Sequence, residues 1–355
     1  MKNTIMEVNT KKFFHNIQKI QEYVGSKVIM PVIKANAYGT YLNKRLDILN
    51  HFQIVAVAEV QEAIELRKIG YEKEIFVLNQ PFSTELEEIE EYRITIGLCE
   101  EHFIDQVKNP VHVHLEIETG MNRTRIPLEN LNPFIDKIKK NANIIVDGVY
   151  THFSSADNDI DYTEKQMNVF QEAVEIVKKS FCISYVHCSA SSGIIHCRET
   201  ISNMVRPGLI LYGYESYKGI KDIIDIEPIT TLKTKISFIK EVGALEAISY
   251  NQKFITPYPM KIATIPIGYA DGLRRDFIHK GEVVVKGEKR KILGTICMDS
   301  CMIDVTNLDV EVGDEVYIWD NDKITLDDIS QELNTISYEI LSTISDRVQR
   351  EFIEE

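Results

Sequence analysis

The chain has 355 residues, 44% of them apolar and 26% charged, and a formal net charge of −14. That length allows a large core and two domains, and the balance of apolar and charged residues excludes disorder as the default state. The acidic surplus speaks against nucleic acid or an anionic membrane as the main partner, because both require a basic face.

In chain order, helical periodicity over 10–24 leads into a short β-branched run at 27–33, which reads as a buried strand. Further apolar runs at 54–58, 75–78, 95–98, 111–117, 144–150, 185–187 and 209–212 bring the strand count near eight. Helical stretches intervene, among them 60–69, closed by Gly70, and 162–179. Strands alternating with helices predict an α/β fold, a TIM (β/α)8 barrel, whose reactive residues gather at the C-terminal ends of the strands. After Pro228 the pattern changes to short runs at 230–242, 261–267, 281–285, 291–297, 302–305 and 315–319, with Gly243, Gly268, Gly287 and Gly313 between or beside them. This predicts a C-terminal all-β domain, closed by two helices over 326–334 and 338–344. The expected division is a barrel over 9–225 and a β domain formed by 226–355 together with 1–8.

No apolar run reaches the ~18 residues of a membrane span, and the N-terminal residues carry no signal-peptide core. The six cysteines form no CxxC pairs, which suits reduced thiols in a cytoplasmic protein. Their spacing against the histidines is not that of a zinc site, so no metal is expected. Lys34, Arg123, His152 and Ser192 each fall just after a strand run, the place where a barrel assembles chemistry. Lys34 puts an amine at the lip of the sheet, followed by small residues, a tyrosine and a glycine. Taken alone, a lysine ending a strand commonly reaches out to solvent.

The whole stretch Val32-Ile33-Lys34-Ala35-Asn36-Ala37-Tyr38-Gly39 resembles the pyridoxal-phosphate lysine motif of the alanine racemase family. The resemblance continues, in order, through His114 to Arg123, through Thr151-His152-Phe153 with Ala156-Asp157, and through His187-Cys188-Ser189-Ala190-Ser191-Ser192-Gly193. Val205-Arg206-Pro207-Gly208 with Leu211-Tyr212-Gly213, Ile248-Ser249-Tyr250, Gly268-Tyr269-Ala270-Asp271-Gly272, Met298-Asp299 and Ser337-Tyr338-Glu339 complete it. It implies a pyridoxal 5'-phosphate enzyme, an isomerase that interconverts L- and D-alanine and supplies D-alanine for cell-wall peptidoglycan. Lys34 would carry the cofactor and act as base on one face of the substrate. Tyr250 would act on the other face, reaching the site from the second subunit of a homodimer.

Carried over residue by residue, the resemblance assigns the cofactor phosphate to Tyr38, Ser192, Gly208, Leu209 and Tyr338. It assigns the pyridine nitrogen to Arg206, with His152 connecting Tyr250 to that arginine. An arginine there keeps its own proton, which favours proton return over transamination. Arg123 would contact the cofactor's phenolic oxygen and the substrate carboxylate, a pairing suited to a planar, permanently charged fork. Tyr269, Met298 and Asp299 would line the substrate side.

Several positions depart from the family pattern. Glu116 stands where many members carry a carbamylated lysine, and supplies a carboxylate directly to orient Arg123. Arg125 replaces a common glycine, Ser191 an asparagine, Asn251 a glycine and Gln349 a proline, and Thr40-Tyr41 follow Gly39 in place of His-Gly. His187 and His196 read as structural. Alternatives are a racemase for serine or another amino acid, and a pyridoxal-phosphate decarboxylase of the same architecture, which should lack Tyr250. A single-barrel cofactor-binding protein would lack residues 230–355, and a purely structural protein leaves the ordered motifs unexplained.

Overall fold

Eight strands run parallel in the order Val28–Ile29, Met204–Val205, Tyr185–His187, Ile144–Tyr150, Val111–Glu116, Thr95–Leu98, Glu74–Val77 and Ile54–Val57. A parallel bridge between Val32 and Ala56 joins the last strand to the first, with Ile33 N–H donating to Ala56 O at 2.8 Å and Ala56 N–H to Pro31 O at 2.9 Å. The sheet is thus a nearly closed (β/α)8 barrel. Ile54–Val57 and Thr95–Leu98 are buried at every position, as expected of parallel strands covered on both faces. This computed structural model describes residues 4–197, 201–215, 217, 219–278 and 280–354. The chain divides into a barrel unit, Ile17–Leu211 with Ser216–Asp225, and a strand-rich unit, Met1–Asn16 with Tyr212–Glu215 and Ile226–Glu355.

Two strand expectations are corrected. The barrel strand expected at 209–212 lies earlier, at Met204–Val205, and Leu209–Tyr212 is a short 3-10 helix. Pro207 gives its carbonyl to Val32 N–H at 2.9 Å but has no N–H with which to continue the ladder. An unbroken apolar run such as Leu209-Ile210-Leu211-Tyr212 does not distinguish a buried strand from a buried turn. The run at 27–33 likewise pairs only at Val28–Ile29 and through the bridge at Val32.

The strand-rich unit is built on one sheet of nine strands among the described residues. Ile5–Asn9 lies inside it, antiparallel to Thr230–Lys235 and parallel to Gln349–Ile353. Lys233 bridges Glu7 at 2.6 Å and Glu315 at 3.2 Å, tying three strands together. Trp319, fully buried, donates its indole N–H to Thr230 Oγ1 at 3.1 Å. A second apolar cluster of Val242, Ile248, Met260, Ile262 and Leu293 supports the Ala247–Ile248 and Phe254–Ile255 hairpin. The helices Leu326–Glu332 and Ser337–Thr343 follow, the first opened by a capping box between Thr325 and Asp328.

Candidate active site

Lys34 comes two residues after the bridge at Val32 and opens a helical turn that is left-handed from Ala35 to Tyr38. Ala35, Asn36, Ala37 and Tyr38 all have φ between 52° and 55°, and none is glycine. Each such residue costs roughly 1–2 kcal/mol, so the turn must be held from outside. Glu62, on the helix Val60–Lys68, does this: its Oε1 accepts Ala35 N–H at 2.5 Å and its Oε2 accepts Ala58 N–H at 2.8 Å. Ala37 N–H to Ile33 O (2.9 Å) and Gly39 N–H to Ala35 O (2.8 Å) close the turn.

The turn delivers the Tyr38 hydroxyl to Gly208. A Cβ on Gly208 would lie 2.6 Å from that oxygen, so glycine is needed there for space. Gly208 N–H donates to Ser191 Oγ at 3.2 Å. Hydroxyls and a backbone amide, with the half-buried Ser192 next in sequence and the buried Leu209 behind, make a cradle whose donor set fits a phosphate. Burial, and then the charge of Arg123, lower the pKa of the Lys34 ammonium, with Glu62 acting in the opposite direction.

Arg206 is 2% exposed, and its bonds go to neutral acceptors. Nη1 donates to His187 Nδ1 at 2.7 Å. Nη2 donates to Thr151 O at 2.8 Å and Cys188 O at 3.2 Å, and lies 3.3 Å from His152 Nδ1. Because a guanidinium only donates, His187 Nδ1 must accept. Neutral His187 therefore carries its proton on Nε2 and gives it to His114 Nδ1, 2.8 Å away. His114 in turn is protonated on Nε2, which is buried without an acceptor among the described residues. Burial first, and the charge of Arg206 second, hold His114, His152 and His187 neutral, His114 down to about 3. Burial pushes Arg206 itself down to about 10, leaving it protonated at neutral pH.

Glu116 is 2% exposed, and it bonds Arg125 rather than Arg123: Arg125 Nε donates to Glu116 Oε1 at 2.7 Å. Arg123 is exposed, although its charge is felt at Lys34 and at His152. The expectation that Glu116 orients Arg123 directly therefore gives way to a Glu116–Arg125 pair. Glu62, His187 and Arg125 are the site neighbours that sequence reasoning did not assign. Only Arg125 carried a signal, as a bulky residue where a glycine is common.

In the strand-rich unit, Tyr250, Tyr269 and Met298 meet around the loop 295–298. Thr295 Oγ1 donates to Tyr250 O at 3.1 Å, and Ser249 Oγ to Thr295 O at 2.6 Å. Tyr269 N–H donates to Cys297 O at 3.1 Å and Ala270 N–H to Met298 O at 3.0 Å. A Cβ on Gly268 would come within 2.4 Å of both carbonyls, so only glycine lets these chains approach. Ser249, Asn251 and Gln252 around Tyr250 have φ of 67°, 59° and 50°. The side chain they present, Tyr250, is 67% exposed. Asp299 pairs with Arg347 at 2.7 Å, and Tyr338 sits half-buried on the helix Ser337–Thr343.

A parallel barrel with an amine and a phosphate-type cradle after its strands, followed by a strand-rich unit, defines a class of two-unit barrel enzymes. The profile described as "Alanine racemase, N-terminal domain" matches residues 8–216, and "Alanine racemase, C-terminal domain" matches residues 229–352. The chain is 37% identical to alanine racemase 2 of Caldanaerobacter subterraneus subsp. tengcongensis over 99% of its own length and 95% of that protein. It is 34% identical to the alanine racemase of Aquifex aeolicus over 99% of both. The solved alanine racemase of Clostridium difficile superposes with a TM-score of 0.94 at 32% identity, covering 100% of this chain and 97% of that one. The Bacillus anthracis enzyme with bound L-Ala-P gives 0.94 at 30%, covering 100% and 96%. The chain belongs to the alanine racemase family.

Two outcomes follow from this geometry. Glu62→Ala removes the acceptor of Ala35 N–H and should cost about 1–3 kcal/mol of stability. Urea unfolding reads the loss. The second concerns pH. The folded chain keeps His114 and His187 neutral, whereas the unfolded chain takes up their protons near pH 6.5. Stability from this pair is therefore full above pH 6.5 and falls as the pH drops below it, by about 3 kcal/mol per pH unit for the two together. Urea unfolding at pH 7.5, 6.5 and 5.5 measures the slope, and His114→Asn should reduce it by about one proton.

Proposed function

We propose that the protein is a pyridoxal 5'-phosphate-dependent alanine racemase that works by two bases, Lys34 and Tyr250. The observation that carries this reading is that one barrel rim holds a partly desolvated lysine, the hydroxyl–amide cradle of Tyr38, Ser191 and Gly208, and the buried Arg206. When bound, the cofactor supplies an electron-withdrawing ring that makes the α-hydrogen of the attached amino acid acidic. Lys34 holds it, and Tyr38, Ser192, Gly208, Leu209 and Tyr338 receive its phosphate. Arg206 keeps its own proton and presents a permanent donor to the ring nitrogen, with His152 neutral beside it.

Racemisation requires a proton to be taken on one face of the α-carbon and returned on the other. Lys34 serves one face, since its depressed pKa makes the free amine more available at neutral pH. Tyr250 serves the other, as the residue of a second copy in a homodimer. Its support is the exposure of Tyr250 itself, within a unit that also exposes Phe238, Leu245, Tyr258, Tyr269 and Met298. Arg123, Tyr269, Met298 and Asp299 frame the amino acid. The product would be D-alanine for cell-wall peptidoglycan, made in the cytoplasm. No helix among the described residues is long and apolar enough to cross a membrane, and none of the six cysteines forms a disulfide.

Incubation with pyridoxal phosphate and a panel of L-amino acids, followed by chiral chromatography, tests the reading. D-alanine should be the main product, and an amine without any D-amino acid would overturn it. Tyr250→Phe should lower kcat by about 10²–10⁴ with the cofactor spectrum unchanged, and sedimentation should find a dimer.

A further inference from the structure

Arg125 is the residue of the barrel unit that folding alone explains least. Its φ is 147°, in a region nearly closed to any residue with a Cβ. Its side chain is 1% exposed, and its bond is the single one from Nε to Glu116 Oε1. Nη1 and Nη2 are buried with no acceptor among the described residues, which leaves four of the five N–H donors unpaired.

Neutralising Glu116 does not account for this arrangement. An arginine that serves only as counter-ion to a buried carboxylate gains most by lying fork on fork, with two parallel bonds. Here Nε alone is used, and the paired Nη groups are left over. Glu116 in effect grips the guanidinium by its base. The charge of Arg125 also reaches His152 and Arg206, so the fork belongs to the same pocket. Around His152 that pocket gathers Arg206, Arg125, Arg123 and Lys34, against the carboxylates of Glu116 and Glu62. Unpaired buried donors and a strained backbone at one residue fit an anionic ligand that arrives from outside.

We propose that the Nη fork of Arg125 is a receptor for a carboxylate, and that the carboxylate is the one carried by the amino acid substrate. This rests on the racemase reading above, and it makes Arg125 a second substrate-binding guanidinium beside Arg123. Since both Nη atoms are already withdrawn from water in the fold, an arriving carboxylate need not strip hydration from them.

Acetate binding to the cofactor-loaded enzyme, measured by titration calorimetry, tests this. The wild type should bind acetate, and Arg125→Lys should bind it at least ten-fold more weakly while its Tm stays within a few degrees, because a charge still faces Glu116. The double variant E116Q/R125G, free of both the strained backbone and the buried carboxylate charge, should stay as weak. Wild-type affinity in either variant, or no acetate binding by the wild type, would overturn the proposal and leave Arg125 as a counter-ion only. Turnover of L-alanine by the wild type is followed in parallel. Its absence, with the acetate pattern intact, would tell against the racemase reading and not against the carboxylate receptor.

Discussion

A guanidinium buried in the barrel without a carboxylate partner sets the terms for everything around it. Arg206 is surrounded by two backbone carbonyls and two imidazoles, so its positive charge is solvated but not cancelled. Such a charge dictates the protonation of its neighbours. It makes each imidazole nitrogen that faces it an acceptor, and so fixes the tautomers of His187 and, one bond further, of His114. It also opposes any second positive charge nearby, and so adds to the burial that keeps three histidines in one core neutral. The ring of His187 lies flat on Tyr150, 5.0 Å between centroids, and Arg206 lies 5.6 Å over the same tyrosine ring. The charge is thus seated on packed aromatic surface as well as on hydrogen bonds. Replacing this cluster by apolar side chains would be the easier way to fill a barrel. Its retention makes sense where a donor that never releases its proton is needed at one place.

The barrel keeps that donor rigid through close approaches that leave little room for change. Gly148 allows the His114 ring to lie where a Cβ would be only 2.8 Å away, and Gly97 does the same for the Tyr150 hydroxyl, at 2.2 Å. That hydroxyl donates to Leu78 O at 2.9 Å. The aromatic wall beneath Arg206 is therefore fixed by backbone on neighbouring strands, and precision at the site comes from the sheet rather than from the loops.

Much of this architecture was legible in the sequence, and the parts that were not share a cause. Alternating strand and helix signals read as a barrel because each short apolar run is bounded by polar or glycine punctuation. The switch to closely spaced runs after Pro228 marks the strand-rich unit for the same reason. The motif residues fell at strand ends, where a parallel barrel places its chemistry. What could not be read depends on contacts distant in sequence. Nothing in Ala35-Asn36-Ala37-Tyr38 announces a left-handed turn, because the group that holds it, Glu62, is 27 residues away. The pairing of Glu116 with Arg125 instead of Arg123 is decided by which guanidinium can turn inward, and that depends on a backbone angle. Met204–Val205 is too short to leave a periodic signal, while the longer apolar run beside it is a turn. His187 reads as a core residue, and only the position of Arg206, 19 residues on, gives it a task.

The distribution of backbone strain separates the residues that shape the site from those that merely occupy it. Sixteen described non-glycine residues have positive φ, and eight of them are Ala35 to Tyr38, Arg125, Ser249, Asn251 and Gln252. Four of the other eight are asparagines, which tolerate the left-handed region through local hydrogen bonds and need no further explanation. Of the first eight, Asn36 and Asn251 share that excuse and the other six do not. They include alanine, tyrosine, arginine and serine, and they adjoin Lys34, the Glu116 pair and Tyr250. Folding by itself would relax these positions, or place glycine there, so their conformations are sustained by the surrounding sheet and by groups such as Glu62 and Thr295. The strain aims side chains: Tyr38 at Gly208, Tyr250 outward from its hairpin, and Arg125 inward with its Nη groups unpaired. A fold that spends stability at these three places, and at few others, marks them as the positions where geometry serves chemistry.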